Sequence, residues 1–289
     1  MNDFLLSILL GIVEGLTEFL PVSSTGHLRI VEALFHLNLH DSFWKMYTIV
    51  IQLGAILALP VYFWKRILTF LATFPKGERG DRNFLTHPLS LTMIAFVVTA
   101  VPAWAMTKVI GKNLESLWVI TLSLIIGGVV MWIVDAMFVR PRTTHMEETS
   151  LPQAVWIGAC QILSAVFPGT SRSMSTIAGG QLVGLSRPAA LEFSFFLSMP
   201  TMAAATLYDL YKTLKPTRDT VGEGGIAPLA VDAHGWIVLA IGFIFSFIVA
   251  LGVVAWFMQW VRTRGFAPFA IYRIVLGIVL VILLTRGLI

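Results

Sequence analysis

Apolar runs of the roughly twenty residues needed to cross a bilayer recur from one end of this chain to the other, almost free of charge. Six qualify as full spans: about 43–63, 88–110, 117–139, 188–211, 236–261 and 268–285. They leave no room for a separate water-soluble core. Of the 289 residues, 57% are hydrophobic and 12% charged, against about 25% charged in a soluble domain. The expected fold class is an all-α polytopic membrane protein, one integral membrane domain over residues 1–289. Ordinary soluble enzymes are excluded. The net charge of +4 is modest and suits membrane-facing loops, so no nucleic-acid partner is expected. Cys160 lies in an apolar run and reads as packing.

Two further apolar stretches, 4–20 and 152–167, behave differently. Each runs into a Pro-containing polar turn, Pro21 to His27 (PVSSTGH) and Pro168 to Ser173 (PGTSRS), followed by a shorter mixed segment. They read as re-entrant hairpins. Irregular backbone at membrane depth is tolerated only where protein buries it or a wet cavity adjoins it, so both turns are expected to line one cavity. The start, MNDFLLSILLG, has no basic leading segment and no small-residue cleavage site, and is expected to belong to the mature fold.

The halves repeat. Adding 147 places Gly11 on Gly158, Glu14 on Gln161, Leu16 on Leu163, Thr17 on Ser164, Pro21 on Pro168, Ser24 on Ser171 and Lys65 on Lys212. Farther along, Leu122 to Gly128 falls opposite Tyr272 to Ile278. A hairpin plus three spans crosses the membrane an odd number of times, which makes repeat 1 (about 1–147) and repeat 2 (about 148–289) an inverted-topology pair. Their hairpins should meet near the midplane. Ten Lys and Arg residues then fall on one face, Lys65 and Arg264 among them, and eight on the other. The bias toward cytoplasmic positive charge places the first hairpin's ends outside.

Ionisable residues within apolar segments are costly and mark function. Glu14 and Glu18 stand four apart, hence on one helix face. Such a pair shares a proton, binds a divalent cation or faces an arginine. Solvation at a cavity wall is the plainer alternative. In the first turn Pro21 breaks the helix, Ser23, Ser24 and Thr25 supply hydroxyls, Gly26 permits tight backbone, and His27 titrates near neutral pH. Capping alone would explain one serine; three hydroxyls beside a histidine and two glutamates point to an anion site at a helix N-terminus. The second turn brings Gly169, Thr170, Ser171, Ser173, Ser175 and Thr176 around Arg172, whose planar fork suits phosphate oxygens. The implied ligand is a phosphate or pyrophosphate, with a divalent metal ion, Mg or Ca, held by Glu14 and Glu18. Asp135 is expected to reach the interface. Glu192 is either an ion-pair or a cavity residue, and Arg273 either a second phosphate ligand or the partner of a buried carboxylate. Trp64, Trp104, Trp118, Trp236 and Trp260 are expected as interface anchors.

Gly11 to Leu28 (GIVEGLTEFLPVSSTGHL) and Phe167 to Thr176 (FPGTSRSMST), in this order and separation, resemble the undecaprenyl-diphosphate phosphatase family, also called the bacitracin resistance protein family. Glu192 to Met202 and Ala267 to Ile274 share the resemblance. It implies an integral enzyme of the bacterial plasma membrane that hydrolyses undecaprenyl diphosphate to undecaprenyl phosphate and inorganic phosphate, recycling the lipid carrier for peptidoglycan synthesis. Because bacitracin binds the diphosphate lipid, it also implies bacitracin tolerance, with an active site toward the outer face. By motif position it implies Glu14 and Glu18 as the acidic pair, Ser24 and His27 as the nucleophile and acid/base region, and Arg172 with Ser171, Ser173 and Thr176 as the phosphate-binding turn. Attack by Ser24, by His27 or by water stays open, as does a homodimer. A transporter or polyprenyl-phosphate flippase is the alternative, since broken helices at the midplane also build transporters.

Overall fold

In the computed structural model, which describes residues 2–35, 42–106, 116–137, 140–214 and 231–287, every expected span holds a helix long enough to cross a membrane within its described residues. The spanning helices are α3 (Ser42–Tyr62), α5 (Pro88–Ala105), α6 (Leu117–Met137), α9 (Arg187–Leu214), α10 (Ala233–Thr263) and α11 (Ala267–Thr285). The hairpins are α1 (Asp3–Thr17) with α2 (Ser24–Leu34), and α7 (Leu151–Val166) with α8 (Arg172–Leu182). One element was not expected. α4 (Trp64–Thr73) follows α3 directly, with Phe70 buried and Ile67 packed partly against the core.

Local chemistry sets the helix starts. Asn2 accepts from the Phe4 N–H, Asp232 from the Gly235 N–H at 2.8 Å, and Ser150 forms a reciprocal capping box with Gln153. Each satisfies backbone donors that a helix N-terminus leaves open. His87 caps α5 ahead of Pro88, which fits the first helical turn because it has no N–H to lose.

Small residues then decide which helices touch. A Cβ at Gly11 would stand 2.6 Å from the Gly242 carbonyl oxygen, and one at Gly158 would stand 2.5 Å from that of Ala95. Gly242 is Ala95 plus 147, the same offset that relates Gly11 to Gly158. Each hairpin's entering helix therefore lies on the second span of the opposite half, α1 on α10 and α7 on α5. Asp3 meets His234 at 3.1 Å, so α1 and α10 begin together and run parallel. α7 tracks α5 likewise, through Thr99 Oγ1 donating to the Gly158 carbonyl at 2.7 Å and Gln161 donating to Thr99 at 3.1 Å. α6 packs on α11, the pair that contains Leu122–Gly128 and Tyr272–Ile278. Of the repeat matches, the Lys212 side chain lies outside the described residues, as do Lys108, Lys112, Lys215 and Arg218 of the sparser basic face.

Three expectations are corrected. Asp135 is buried rather than interfacial: it accepts from Arg187 Nε at 2.6 Å, Gln181 at 3.2 Å and the Phe266 N–H at 2.9 Å, tying α6 to the start of α11. Its neighbours supply enough donors to keep the carboxylate inside. Trp64, Trp104, Trp118 and Trp236 are exposed on the outer surface, but Trp260 turns inward against Phe269, with Arg264 over its ring. The turns also align differently. Ser23 and Ser171 are both N-caps with positive φ, 74° and 71°, so Ser171 matches Ser23 and not Ser24. The second turn holds one more residue between its proline and its cap, which moves the offset from 147 to 148.

Candidate active site

Both turns end in the same device. A serine with left-handed backbone reverses the chain, and its side chain accepts from the third N–H of the helix it opens: Gly26 for Ser23 and Met174 for Ser171, each at 3.4 Å. Such backbone costs about 1–2 kcal/mol in a residue with a Cβ, an expense that surrounding contacts must over-determine. Arg273 supplies them. Fully buried on α11, its guanidinium donates to the Pro21 carbonyl at 3.1 Å, the Ser123 carbonyl at 3.1 Å and the Gly169 carbonyl at 3.0 Å. Gly127 leaves the room it occupies, since a Cβ there would come within 2.4 Å of Nη2. Gly169, at φ 91°, lies against Ile120, where a Cβ would be 2.4 Å from the carbonyl oxygen. Arg273 thus bonds backbone carbonyls of both turns through its two terminal nitrogens, while its Nε is buried without a partner among the described residues.

The chemistry gathers where the turns meet. Ser24 Oγ donates to Glu18 Oε2, and the other oxygen of Glu18 accepts from Arg172 Nη2 at 3.4 Å. Ser173 Oγ donates across to the Leu20 carbonyl at 3.0 Å and lies 3.0 Å from Ser171 Oγ. Glu14 is buried one helical turn before Glu18, with the two side chains in hydrogen-bond reach. Arg172 Nη1 is buried with no hydrogen-bond partner among the described residues, although a guanidinium donor left unmade is costly. It borders the carboxylate that holds the serine, which is the arrangement expected of a donor awaiting an oxyanion.

The remaining expected residues divide. His27 is three residues from Ser24 and so on the same side of α2, but its ring bonds elsewhere: Nδ1 to the Ser23 carbonyl at 2.7 Å, Nε2 to the Tyr272 hydroxyl at 2.6 Å. Thr25 is exposed. Thr176 is fully buried and engaged with the Arg172 carbonyl at 2.9 Å and with Ser194 at 2.6 Å, so it braces α8 against α9. Thr170 and Ser171 are half-buried at the turn. Glu192 pairs with Arg66 of α4 at 2.9 Å, and Arg66 also meets Glu147; it is an ion-pair residue. Tyr272 was not singled out in the sequence beyond its stretch, because a lone tyrosine in an apolar helix gives no polar pattern. An apolar groove of about 370 Å³ opens beside it, lined by Leu16, Leu20, Trp256, Trp260 and Phe269, with His27 and Tyr272 at its edge.

Among the described residues no group of three or more His, Cys, Asp or Glu is placed to hold a metal ion. Two neighbouring carboxylates do, however, match the way Mg²⁺ is held when substrate phosphate and water complete its oxygen shell.

Among the described residues, six helices long and apolar enough to cross a membrane surround two facing polar turns, with a serine, a carboxylate and an unpartnered arginine donor between them, the build of a polytopic membrane protein with a buried polar site. The family model described as Bacitracin resistance protein BacA matches residues 7–279, and the chain belongs to that family. An undecaprenyl-diphosphatase of Koribacter versatilis is 65% identical over 96% of this chain and 97% of its own length. That of Caldanaerobacter subterraneus is 39% identical over 100% and 99%, and that of Deinococcus radiodurans 36% identical over 99% and 97%.

Proposed function

We propose that this protein is an undecaprenyl-diphosphatase, releasing inorganic phosphate from undecaprenyl diphosphate and returning the monophosphate carrier to envelope synthesis. Removing the diphosphate lipid that bacitracin binds would confer tolerance. The observation that carries the reading is the unpartnered Arg172 Nη1 beside the Ser24–Glu18 hydrogen bond. Full-length similarity to relatives bearing that name agrees with it.

In this reading Ser24 Oγ attacks the terminal phosphorus while its proton passes to Glu18. The bond from phosphorus to the bridging oxygen breaks, and its electron pair leaves with undecaprenyl phosphate. Arg172 offsets the charge on the equatorial oxygens. Ser24 is already hydrogen-bonded to a carboxylate that can take its proton, which favours Ser24 over His27 as nucleophile. Hydrolysis of the phosphoserine then needs a base on the same side of α2; His27 takes the proton of the attacking water, the bond from phosphorus to Ser24 Oγ breaks as Glu18 returns its proton to that oxygen, and phosphate leaves. Hydroxyls of Ser23, Thr170 and Ser171 adjoin the substrate, while Arg273, Ser173 and Thr176 hold the turns. Glu14 and Glu18 would bind Mg²⁺ or Ca²⁺, which when bound neutralises diphosphate charge. The prenyl chain would lie in the apolar groove past Trp256 and Trp260, reaching membrane lipid.

Parallel packing of α1 on α10 and of α7 on α5, at one common offset, supports an inverted-topology repeat. The richer basic face, around Lys65, Arg66, Arg79, Arg82 and Arg142, supports a cytoplasmic position for the α4 end and a site opening to the periplasm or cell exterior. The same repeat favours a second reading, a polyprenyl-phosphate transporter. Purified protein in detergent, without a sealed compartment, separates them. Metal-dependent phosphate release from a prenyl diphosphate, lost in Ser24→Ala and on chelation, is expected; a pure transporter releases none.

A further inference from the structure

Tyr272 is the one polar side chain on the apolar face of α11 that reaches a candidate reacting group. Its ring is half-exposed to the groove and stacks on His27, the planes 9° apart and the centroids separated by 5.6 Å. Its hydroxyl is 2.6 Å from Nε2. The other side of the imidazole fixes what this contact means. A backbone carbonyl can only accept, so Nδ1, 2.7 Å from the Ser23 carbonyl, carries a proton and donates it. In a neutral ring Nε2 is then the bare nitrogen, and the Tyr272 hydroxyl donates to it.

We infer that Tyr272 is a positioning residue for the reaction: its hydroxyl holds His27 as a neutral imidazole with an unprotonated Nε2 at the border between the polar turns and the apolar groove, and keeps that lone pair in place until the hydrolytic water replaces the hydroxyl on it. The inference rests on the reading of His27 as the base for the hydrolytic step. The mechanism follows from hydrogen-bond direction. A base can act only if the nitrogen facing its water lacks a proton, and an outer partner commonly decides which nitrogen that is. Here two partners decide together, the Ser23 carbonyl from α2's own cap and Tyr272 from the opposite half of the molecule. The second partner is sensitive to the first turn's placement, because the next residue, Arg273, holds Pro21 and Gly169. Consecutive residues of α11 therefore set the backbone of the site and the proton position of its histidine. Tyr272 also edges the groove, so a ligand filling that groove abuts the hydroxyl that holds Nε2.

The test is a double-mutant cycle on the purified protein, with phosphate release from a prenyl diphosphate as the activity and the ¹⁵N resonances of labelled histidine as the structural readout. Tyr272→Phe removes one oxygen from a half-exposed ring and keeps the stacking surface, so folding is retained. Turnover is expected to fall about tenfold, a part of the roughly 10²–10⁴ that a general base contributes in full. In the His27→Gln background Tyr272→Phe should cost nothing further. In the wild type the His27 signals, identified by their loss in His27→Gln, should show a protonated Nδ1 and a bare Nε2, with the Nε2 signal displaced in Tyr272→Phe. An unmoved Nε2 signal, or an equal loss of turnover with and without His27, overturns the role of Tyr272. Wild-type turnover by His27→Gln instead overturns the base assignment on which the inference rests.

Discussion

The two turns are copies in shape and complements in chemistry. Each follows a proline, reverses at a serine with φ near +70° and opens a helix whose first residue enters the site. That first residue is Ser24 in one copy and Arg172 in the other, a hydroxyl held by a carboxylate against a permanent cation. In the entering helices, Glu14 of the first hairpin corresponds to Gln161 of the second, and both are buried. Gln161 donates to Thr99 and Thr201, at 3.1 Å each, and so serves packing. The same reversal occurs in both turns, and in the proposed reading the few positions that differ place attack in one turn and charge stabilisation in the other. A symmetric pair of carboxylate turns would repel a diphosphate.

That division gives the largest expected effect. Arg172→Ala should lower phosphate release by roughly 10²–10³, the usual cost of deleting one preorganised donor for developing negative charge. Arg172→Lys should recover only part of it, because an ammonium lacks the planar fork. A loss below tenfold in Arg172→Ala would make the second turn a scaffold, and the complementarity of the turns would fail.

Next comes the residue that serves both turns at once. Arg273→Met leaves buried carbonyls at Pro21, Ser123 and Gly169 without their donor, at about 1–3 kcal/mol apiece. The thermal midpoint in detergent should drop further than for any substitution of Ser23, Ser24 or Ser171. Excess substrate should not restore turnover, since the defect is in placement of the turns. A stable variant with only a raised KM would return Arg273 to the role of phosphate ligand.

How much of this was legible beforehand varies by residue. The spans were, because length and lack of charge determine them, and so were the turns, because proline and clustered hydroxyls have no place in lipid without a cavity. That the two turns meet was expected from the repeat, but the particular contacts were not: Arg172 reaches Glu18 across the turns, and Ser24 bonds Glu18 within the first hairpin. Arg273 was visible as an intramembrane charge, but its partners are main-chain carbonyls, which every residue has and no pattern marks. The same holds for Asp135, whose cap on Phe266 is a backbone bond. α4 stayed hidden because it is short and follows α3 without a break, and the one-residue shift between the turns because matching letters favoured Ser24 over Ser23.

A smaller effect tests the symmetry of the scaffold. Gly11→Ala and Gly158→Ala each force a methyl against a carbonyl oxygen of the partner helix, 2.6 Å and 2.5 Å away. Overpacking of this kind costs about 1–3 kcal/mol. Because the contacts are related by one offset, the two variants should lower the thermal midpoint by similar amounts. A large loss in one and none in the other would show that the halves no longer share their packing.

The smallest effect distinguishes the open ends of the two hairpins. At the first, Asp3 and His234 form a pair in which both side chains are exposed. At the second, Glu148 accepts from the N–H groups of Thr144 at 3.0 Å and His145 at 3.2 Å and from the Thr144 hydroxyl. Backbone donors first, and that hydroxyl with them, hold the Glu148 carboxyl below the usual carboxylate range. The unfolded chain therefore takes up a proton there before the folded one does. The resulting stability is complete above the ordinary glutamate value and is lost as pH falls through the lower folded value. The effect is small because the carboxylate is exposed. Thermal midpoints measured from pH 6 down to about pH 3, across the ordinary glutamate value, should fall more steeply for the wild type than for Glu148→Gln, which cannot titrate. Parallel curves would mean that the second hairpin's open end is held by its backbone alone.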